Sequence, residues 1–159
     1  MGQLPYRTER VDLDGLLREI VEEIQVATAT HQIILQDNTD ASVRGDRERL
    51  GHVLFNLISN AVKYSPQANR VLVWISQDEE QVLISVQDFG IGIAEADREH
   101  IFERFYQAPD PLEQTYPGLG ISLYLSRTII QRHQGRLWVE SHKGKGSTFW
   151  VSLPLESRE

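Results

Sequence analysis

The chain has 159 residues, of which 40% are hydrophobic and 25% are charged, a balance typical of one folded globular domain rather than of a disordered segment. The formal net charge of −7 argues against broad electrostatic binding to nucleic acid or to an anionic membrane. The absence of cysteine excludes disulfides and thiolate metal sites, and no apolar run approaches the ~20 residues that cross a bilayer. An anionic ligand would therefore need a local, dedicated site.

The N-terminal part of the chain predicts two helices with a short strand between them. Residues 1–10 are polar and are interpreted as a leader or as the end of a linker. Apolar residues at helical spacing predict a first helix within residues 13–28, and residues 33–35 predict a short strand. A second helix is predicted from an N-cap at Asp46 to about Tyr64, where a Ser-Pro pair follows and stops it.

The remainder of the chain predicts two β-hairpins separated by loops and a third helix. In chain order these elements are a hairpin of residues 70–76 and 81–87, a glycine-containing loop at 88–93, an amphipathic segment at 98–106, a mobile loop at 107–117, a helix at 119–132 ended by Gly135, and a hairpin of residues 136–141 and 147–153. This order predicts an α+β fold, an α/β sandwich in which three main helices cover one face of a mixed sheet.

The second predicted helix carries polar residues along the border of its apolar face. Four apolar side chains fall within an arc of about 60°, namely Leu50, Leu54, Leu57 and Ala61. Asn56, Asn60 and Lys63 fall within a second arc of about 60° beside the first. A solvated helix flank explains one asparagine, but three polar residues in register also offer an amide oxygen to a cation and a positive charge to phosphate. Because Mg²⁺ usually keeps several waters and substrate phosphates as ligands, one asparagine can suffice.

Two glycine-containing segments offer further contacts to a ligand. Gly90 and Gly92 allow a close approach of the backbone, and Asp88 ends a predicted strand, where its carboxylate can accept a hydrogen bond from an amino group. Gly118 and Gly120 stand at the start of a predicted helix, where free backbone N–H groups can bind phosphate. Each segment alone is common in ordinary turns. Neither is a Walker loop or a Rossmann fingerprint.

Five segments in this order, NLISNAVKY, DFGIGI, IFERFY, GLGISLYLS and GKGSTFWVSLP, resemble the ATP-binding catalytic domain of sensor histidine kinases. The resemblance covers residues 9–155 and implies the Bergerat-type α/β sandwich shared with gyrase and MutL. It implies a cytoplasmic domain at residues 11–155, with a leader at 1–10 and a tail at 156–159, that binds ATP and Mg²⁺. The implied partners are the dimerisation and phosphoacceptor helical domain of the same kinase and a downstream response regulator, without nucleic acid or membrane contact by this segment.

The resemblance also implies roles for individual residues. Asn60 corresponds to the Mg²⁺ ligand, and Asn56 and Lys63 are implied to be catalytic and to contact ATP. Tyr64 corresponds to a nucleotide contact, and Asp88 to the aspartate that accepts a hydrogen bond from the adenine amino group. The other implied ATP-binding residues are Gly90, Gly92, Ile93, Phe105, Gly118, Leu119, Gly120 and Thr148; Phe102 joins Phe105 in the aromatic anchor of the ATP lid, and Ser147 precedes Thr148 in the last motif.

The sequence departs from the family pattern at the predicted lid. Tyr116 and Pro117 stand where relatives usually carry a glycine and a threonine or serine, and Gln107 stands where many carry a basic residue. Proline fixes φ and lacks an N–H group, so the hinge should be stiffer and one phosphate-facing donor is missing. These departures bear on the efficiency of phosphoryl transfer more than on nucleotide binding.

The five histidines of the chain lack the context of a phosphoacceptor. His31, His52, His100, His133 and His142 are not surrounded by the acidic, apolar and basic residues that mark such a histidine in this family. Surface or helix-capping roles are predicted for all of them. The chain should therefore bind ATP without carrying its own phosphorylation target.

Three interpretations remain open from the sequence. The first is a histidine kinase catalytic domain, and the second is a free-standing ATPase or serine kinase of the same fold. ATPases of this superfamily usually carry a glutamate in place of Asn56, and an amide cannot accept a proton from water. The third is a degenerate module that docks on its own kinase without nucleotide. The retained Asn60, Lys63 and Asp88 argue against this last interpretation.

Overall fold

The computed structural model describes residues 6–36, 39–103, 119–141 and 144–156. Its α-helices are α1 (Leu13–Val26), α2 (Arg47–Lys63) and α3 (Leu119–Arg132). Its strands are β1 (Glu9–Asp12), β2 (Gln32–Gln36), β3 (Ser42–Gly45), β4 (Arg70–Gln77), β5 (Gln81–Asp88), β6 (Arg136–Ser141) and β7 (Ser147–Pro154). Single-turn 3-10 helices at Glu95–Asp97 and His100–Phe102 follow β5.

Five strands form one mixed sheet in the order β2-β4-β5-β7-β6. Strand β2 runs parallel to β4, and the other neighbours are antiparallel, so both predicted hairpins are confirmed. The turn between β4 and β5 is closed by Asp78, whose Oδ1 accepts hydrogen bonds from the N–H groups of Glu80 (2.8 Å) and Gln81 (2.9 Å). Strand β5 is central, and its last residue, Asp88, pairs with Ser147 at the start of β7.

The helices pack on one face of this sheet and enclose the core. Helix α2 contacts α1, α3 and the central strands β4 and β5. The side chains of Leu57 and Ile58 on α2 and of Val73 and Ile84 on the sheet are at most 1% exposed. The predicted α+β sandwich, with three main helices on one face of a mixed sheet, is confirmed. None of the helices in the described ranges combines the length and apolar content needed to cross a bilayer.

The opposite face of the sheet carries all three tryptophans of the chain. The strand registers align Trp74, Trp150 and Trp138 in one row, with Ser85 between the first two. The indole rings of Trp138 and Trp150 are stacked with centroids 6.1 Å apart, and these three tryptophans are half-buried. This face thus differs from the helix-covered face, where the sheet residues are buried.

A two-stranded antiparallel sheet of β1 and β3 was not predicted from the sequence. Each strand has four residues, and only Val11 and Val43 supply an apolar pair, so neither strand produces a periodic pattern. Glu9 and Arg10, which the sequence assigns to a leader, belong to β1. The domain boundaries themselves stay a prediction.

The segment between β5 and α3 was predicted as an amphipathic stretch followed by a lid. Its described part includes the 3-10 turn of residues 100–102, in which Ile101 and Phe102 are buried, so the apolar residues do face the core. The predicted lid at residues 107–117, with Gln107, Tyr116 and Pro117, lies outside the described residues.

Candidate functional site

Helix α2 presents its polar stripe at the edge of the buried face, as the helical spacing predicts. Asn56 and Asn60 are half-buried and Lys63 is exposed, whereas Leu57 and Ala61 beside them are buried. Asn60 Nδ2 is buried and has no hydrogen-bond partner among the described residues. Because the amide oxygen and nitrogen can exchange places by a flip of the side chain, this buried position can present either a donor or an acceptor to a ligand.

Asp88 is a buried carboxyl group, 5% exposed, at the end of the central strand. Its Oδ1 accepts hydrogen bonds from the N–H groups of Gly90 (3.0 Å) and Ser147 (3.2 Å), and no other described residue donates to this carboxyl group. Burial raises the pKa of Asp88 to about 6, although the two backbone donors act in the opposite direction. Oδ2 is therefore left as an acceptor for a ligand.

Glycine allows the loop after Asp88 to lie directly against the end of α2. A Cβ atom on Gly90 would lie 1.9 Å from the Tyr64 carbonyl oxygen, which also accepts a hydrogen bond from Ile91 N–H (3.4 Å). Gly92 has φ +72°, a conformation that side chains disfavour. The glycines thus bring the Asp88 loop and the end of α2 into backbone contact.

Ser141, which the sequence did not single out, joins the segments around Asp88. Its Oγ accepts a hydrogen bond from Ile93 N–H (2.6 Å), donates to the Gly146 carbonyl (2.9 Å) and lies 2.8 Å from Ser147 Oγ. A Cβ atom on Gly146 would lie 2.3 Å from the Asp88 carbonyl oxygen. A serine at a strand end carries no distinctive sequence signal, so only the tertiary contacts reveal this junction.

The structure brings Ser147, rather than Thr148, to Asp88. Ser147 pairs with Asp88 across the sheet, whereas Thr148 pairs with Gln87. Successive side chains of a strand point to opposite faces, so Thr148 lies on the face opposite to Asp88. An adenine contact of Thr148 stays a prediction.

Only some of the other residues with implied roles at the site lie in the described part of the chain. Phe105 and Gly118 lie outside the described residues, and Leu119 and Gly120 form the first turn of α3. Phe102 is 4% exposed; its ring makes an edge contact with Phe149, with centroids 6.3 Å apart, and the Arg127 guanidinium lies 4.6 Å from its centroid. This half of the predicted aromatic anchor is fixed between β7 and α3.

The sequence predicts a surface or helix-capping role for every histidine. The burial of His31 contradicts a surface role for that residue, whereas the helix-end position of His133 is confirmed. His133, at the end of α3, is also buried and uses both ring nitrogens. His52 and His100 are exposed, and His142 lies outside the described residues. The two buried rings find polar partners on the backbone of distant segments, which local sequence cannot reveal.

Comparison with known proteins agrees with this arrangement. Residues 45–157 match the family described as histidine kinase-, DNA gyrase B-, and HSP90-like ATPase. The chain belongs to this family. Its similarity to the ATP-binding catalytic domain of sensor histidine kinases, inferred from the five motifs, is thereby confirmed.

Curated relatives of this ATPase-family domain include sensor histidine kinases. The sensor histidine kinase RppB of Synechocystis is 37% identical over 148 residues, which are 91% of this chain and 33% of RppB. The sensor histidine kinase WalK of Bacillus subtilis is 30% identical over 158 residues, which are 97% of this chain and 26% of WalK. The chain thus spans a third or less of the length of these relatives.

Solved structures share the fold of this ATPase-family domain. The mycobacterial sensor histidine kinase MprB has a TM-score of 0.82 and 26% identity, over 94% of this chain and 99% of that chain. Full-length ShkA in complex with AMPPNP has a TM-score of 0.81 and 28% identity, over 98% of this chain and 33% of that chain.

Proposed function

We propose that this domain binds Mg-ATP and donates the γ-phosphoryl group to a histidine on a separate dimerisation and phosphoacceptor domain of the same kinase. The observation that carries this proposal is the buried Asp88 carboxyl group, with Oδ1 held by two backbone N–H groups and Oδ2 left as an acceptor. An ionised carboxylate accepts hydrogen bonds and cannot donate them, so it favours the amino group of adenine over the carbonyl group of guanine.

The phosphate end of the proposed site is formed by α2. The side-chain amide of Asn60, whose Nδ2 is buried without a hydrogen-bond partner among the described residues, fits a role as an oxygen ligand of Mg²⁺ once the amide is flipped. The exposed Lys63 can contact phosphate. The described part of the chain contains no cluster of three or more His, Cys, Asp or Glu residues that could hold a metal ion. A cation bound there would thus depend on phosphate oxygens as well, which is ordinary for Mg²⁺. When bound, Mg²⁺ neutralises negative charge on the phosphates.

The acceptor of the phosphoryl group is proposed to lie on another domain. Asn56 cannot act as a general base toward water, which argues against ATP hydrolysis. The buried His31 and His133 already use their ring nitrogens in contacts within the domain. The proposal therefore includes a helical phosphoacceptor partner. From the similarity to sensor histidine kinases, it also includes a cytoplasmic location and a response regulator that receives the phosphoryl group from that partner.

Calorimetric titration tests the nucleotide part of this proposal. The protein should bind ATP in the presence of Mg²⁺ and bind GTP far more weakly, since a guanine base would leave Oδ2 of the buried Asp88 carboxylate without a hydrogen-bond donor. Equal affinity for ATP and GTP would contradict the role of Asp88. Failure to bind either nucleotide would favour the degenerate docking module instead.

A further inference from the structure

Two buried histidines, on different segments, contact the backbone at the two ends of α2. At the N-terminal end, His133 Nε2 accepts a hydrogen bond from the N–H group of Asp46 (3.0 Å), the N-cap residue. At the C-terminal end, His31 Nε2 lies 2.7 Å from the carbonyl oxygen of Ser65, the residue after the C-cap Tyr64. We propose that His31 is a positioning residue that holds the end of α2 against the Asp88 loop; this inference rests on the proposed nucleotide site.

The His31 ring is fixed through both of its nitrogens. A carbonyl oxygen can only accept, so Nε2 must be the donor to Ser65. Nδ1 lies 2.8 Å from Thr30 Oγ1, a hydroxyl group that can donate or accept. The ring is 6% exposed, and water therefore competes little for these contacts.

The backbone that carries His31 is in turn fixed to α1. Gln25 Nε2 donates to the His31 carbonyl (2.9 Å), and Gln25 Oε1 accepts from Ile33 N–H (2.7 Å). One amide side chain thus holds the backbone at His31 and at Ile33. The backbone that carries the imidazole, just before β2, is therefore held in place by α1.

The contact of His31 reaches the proposed site through the backbone. Ser65 is fully buried, and its Oγ donates to the Ala61 carbonyl (2.6 Å) in the last turn of α2. The carbonyl group of the preceding residue, Tyr64, accepts a hydrogen bond from Ile91 N–H. The same carbonyl oxygen lies so close to Gly90 that a side chain at position 90 would clash with it. Any movement of residues 64–65 therefore changes the position of the end of α2 relative to the Asp88 loop.

This coupling has a specific chemical consequence. Asp88 is proposed to bind the base, and Asn60 and Lys63 are proposed to act at the phosphates, so an intact nucleotide must span two elements. A fixed spacing favours a ligand that engages both elements at once. Loss of the His31 contact should therefore weaken ATP more than it weakens adenosine or tripolyphosphate, each of which uses one element.

The test compares His31→Leu with His133→Leu, a matched loss of the buried histidine at the other end of α2. His31→Leu should raise the Kd for Mg-ATP about tenfold, and it should raise the Kd for adenosine and for tripolyphosphate by less. His31→Gln, whose amide can reach Ser65, should restore most of the affinity. His133→Leu should lower Tm and change the Kd less than about twofold, all Kd values being measured below Tm.

Amide hydrogen exchange without nucleotide supplies a second measurement. The N–H groups of Tyr64 and Ile91 should exchange faster in His31→Leu than in His133→Leu, because loss of the His31 ring loosens the contact between the end of α2 and the Asp88 loop. If His31→Leu does not fold, Thr30→Val keeps the ring and removes one of its contacts, and it should accelerate the same two amides. Unchanged exchange in the folded variant overturns the proposal. Lack of ATP binding by the unmodified protein would contradict the proposed function, while the exchange comparison would still decide the role of His31.

Discussion

Among single residues, Asp88 combines a buried carboxyl group with the clearest proposed role. Its pKa is raised to about 6 in the folded state from 3.8, so the folded protein retains a proton that the unfolded chain releases between these values. This group therefore stabilises the fold at low pH, and its contribution to the free energy of unfolding decreases as pH rises from about 4 to about 6.

The substitution Asp88→Asn should separate stability from function. The amide oxygen can still accept from Gly90 and Ser147, and a neutral amide carries no cost of a buried charge. Unfolding in urea at about pH 8 should show the variant to be more stable than the unmodified protein, by up to about 3 kcal/mol. The variant should also lack the decrease in stability that the unmodified protein shows from about pH 4 to about pH 6. ATP selectivity over GTP should be lost. A clear destabilisation at about pH 8 would mean that Asp88 is chiefly structural.

Asn60 should matter for metal-dependent binding in particular. Asn60→Ala removes the proposed oxygen ligand, so the Kd for Mg-ATP should rise at least about tenfold, with a smaller effect on ATP in the presence of a chelator. Calorimetry with and without Mg²⁺ measures both values. Ser59→Ala, a half-buried neighbour whose Oγ donates to the Asn56 carbonyl, is the matched control and should leave both values unchanged. Equal losses with and without Mg²⁺ would indicate a packing role for Asn60.

At the scale of elements, the loop after β5 and the end of α2 act as one unit because Gly90 permits their contact. Gly90→Ala would place Cβ 1.9 Å from the Tyr64 carbonyl oxygen, so the loop must move away from α2. We expect a loss of about 1–3 kcal/mol in the free energy of unfolding together with weaker ATP binding.

Gly144→Ala is the control for this loop substitution. Gly144 has φ +86°, but a Cβ atom there would have no heavy atom within 4 Å, so the variant has backbone strain without a clash. It should lose stability and retain its affinity for ATP in calorimetry. An unchanged affinity in Gly90→Ala would show that the α2–loop contact does not control nucleotide binding.

At the scale of the whole molecule, the proposed transfer requires a nucleophile held close to the γ-phosphate and in line with it. The purified domain should bind ATP, show negligible autophosphorylation and hydrolyse ATP very slowly. Addition of the proposed dimerisation and phosphoacceptor helices should increase labelling from radioactive ATP about a hundredfold or more, on a histidine of those helices. The label should be acid-labile and base-stable, as a phosphoramidate requires. Rapid turnover by the domain alone would favour a self-contained ATPase.

Much of the fold could be predicted because its elements satisfy local rules. The N-cap Asp46 and the apolar stripe specify α2, and the turn residue Asp78 lies between two strands that pair as predicted. The β1–β3 sheet could not be predicted, since a pair of four-residue strands distant in sequence depends on contacts that no local pattern encodes. The lid lies outside the described residues, so its predicted hinge stays a prediction.

The sequence by itself determined the family, the order of the elements and the polar stripe of Asn56, Asn60 and Lys63, because motif order and helical spacing are local properties. Only the tertiary structure decided that Ser147 rather than Thr148 lies beside Asp88, and that the buried Ser141 and His31 join segments around it. The physical reason is that a buried polar group must find its hydrogen-bond partner in the folded chain, wherever that partner stands in the sequence. Ser65 follows His31 by 34 residues, and Ser141 follows Ile93 by 48.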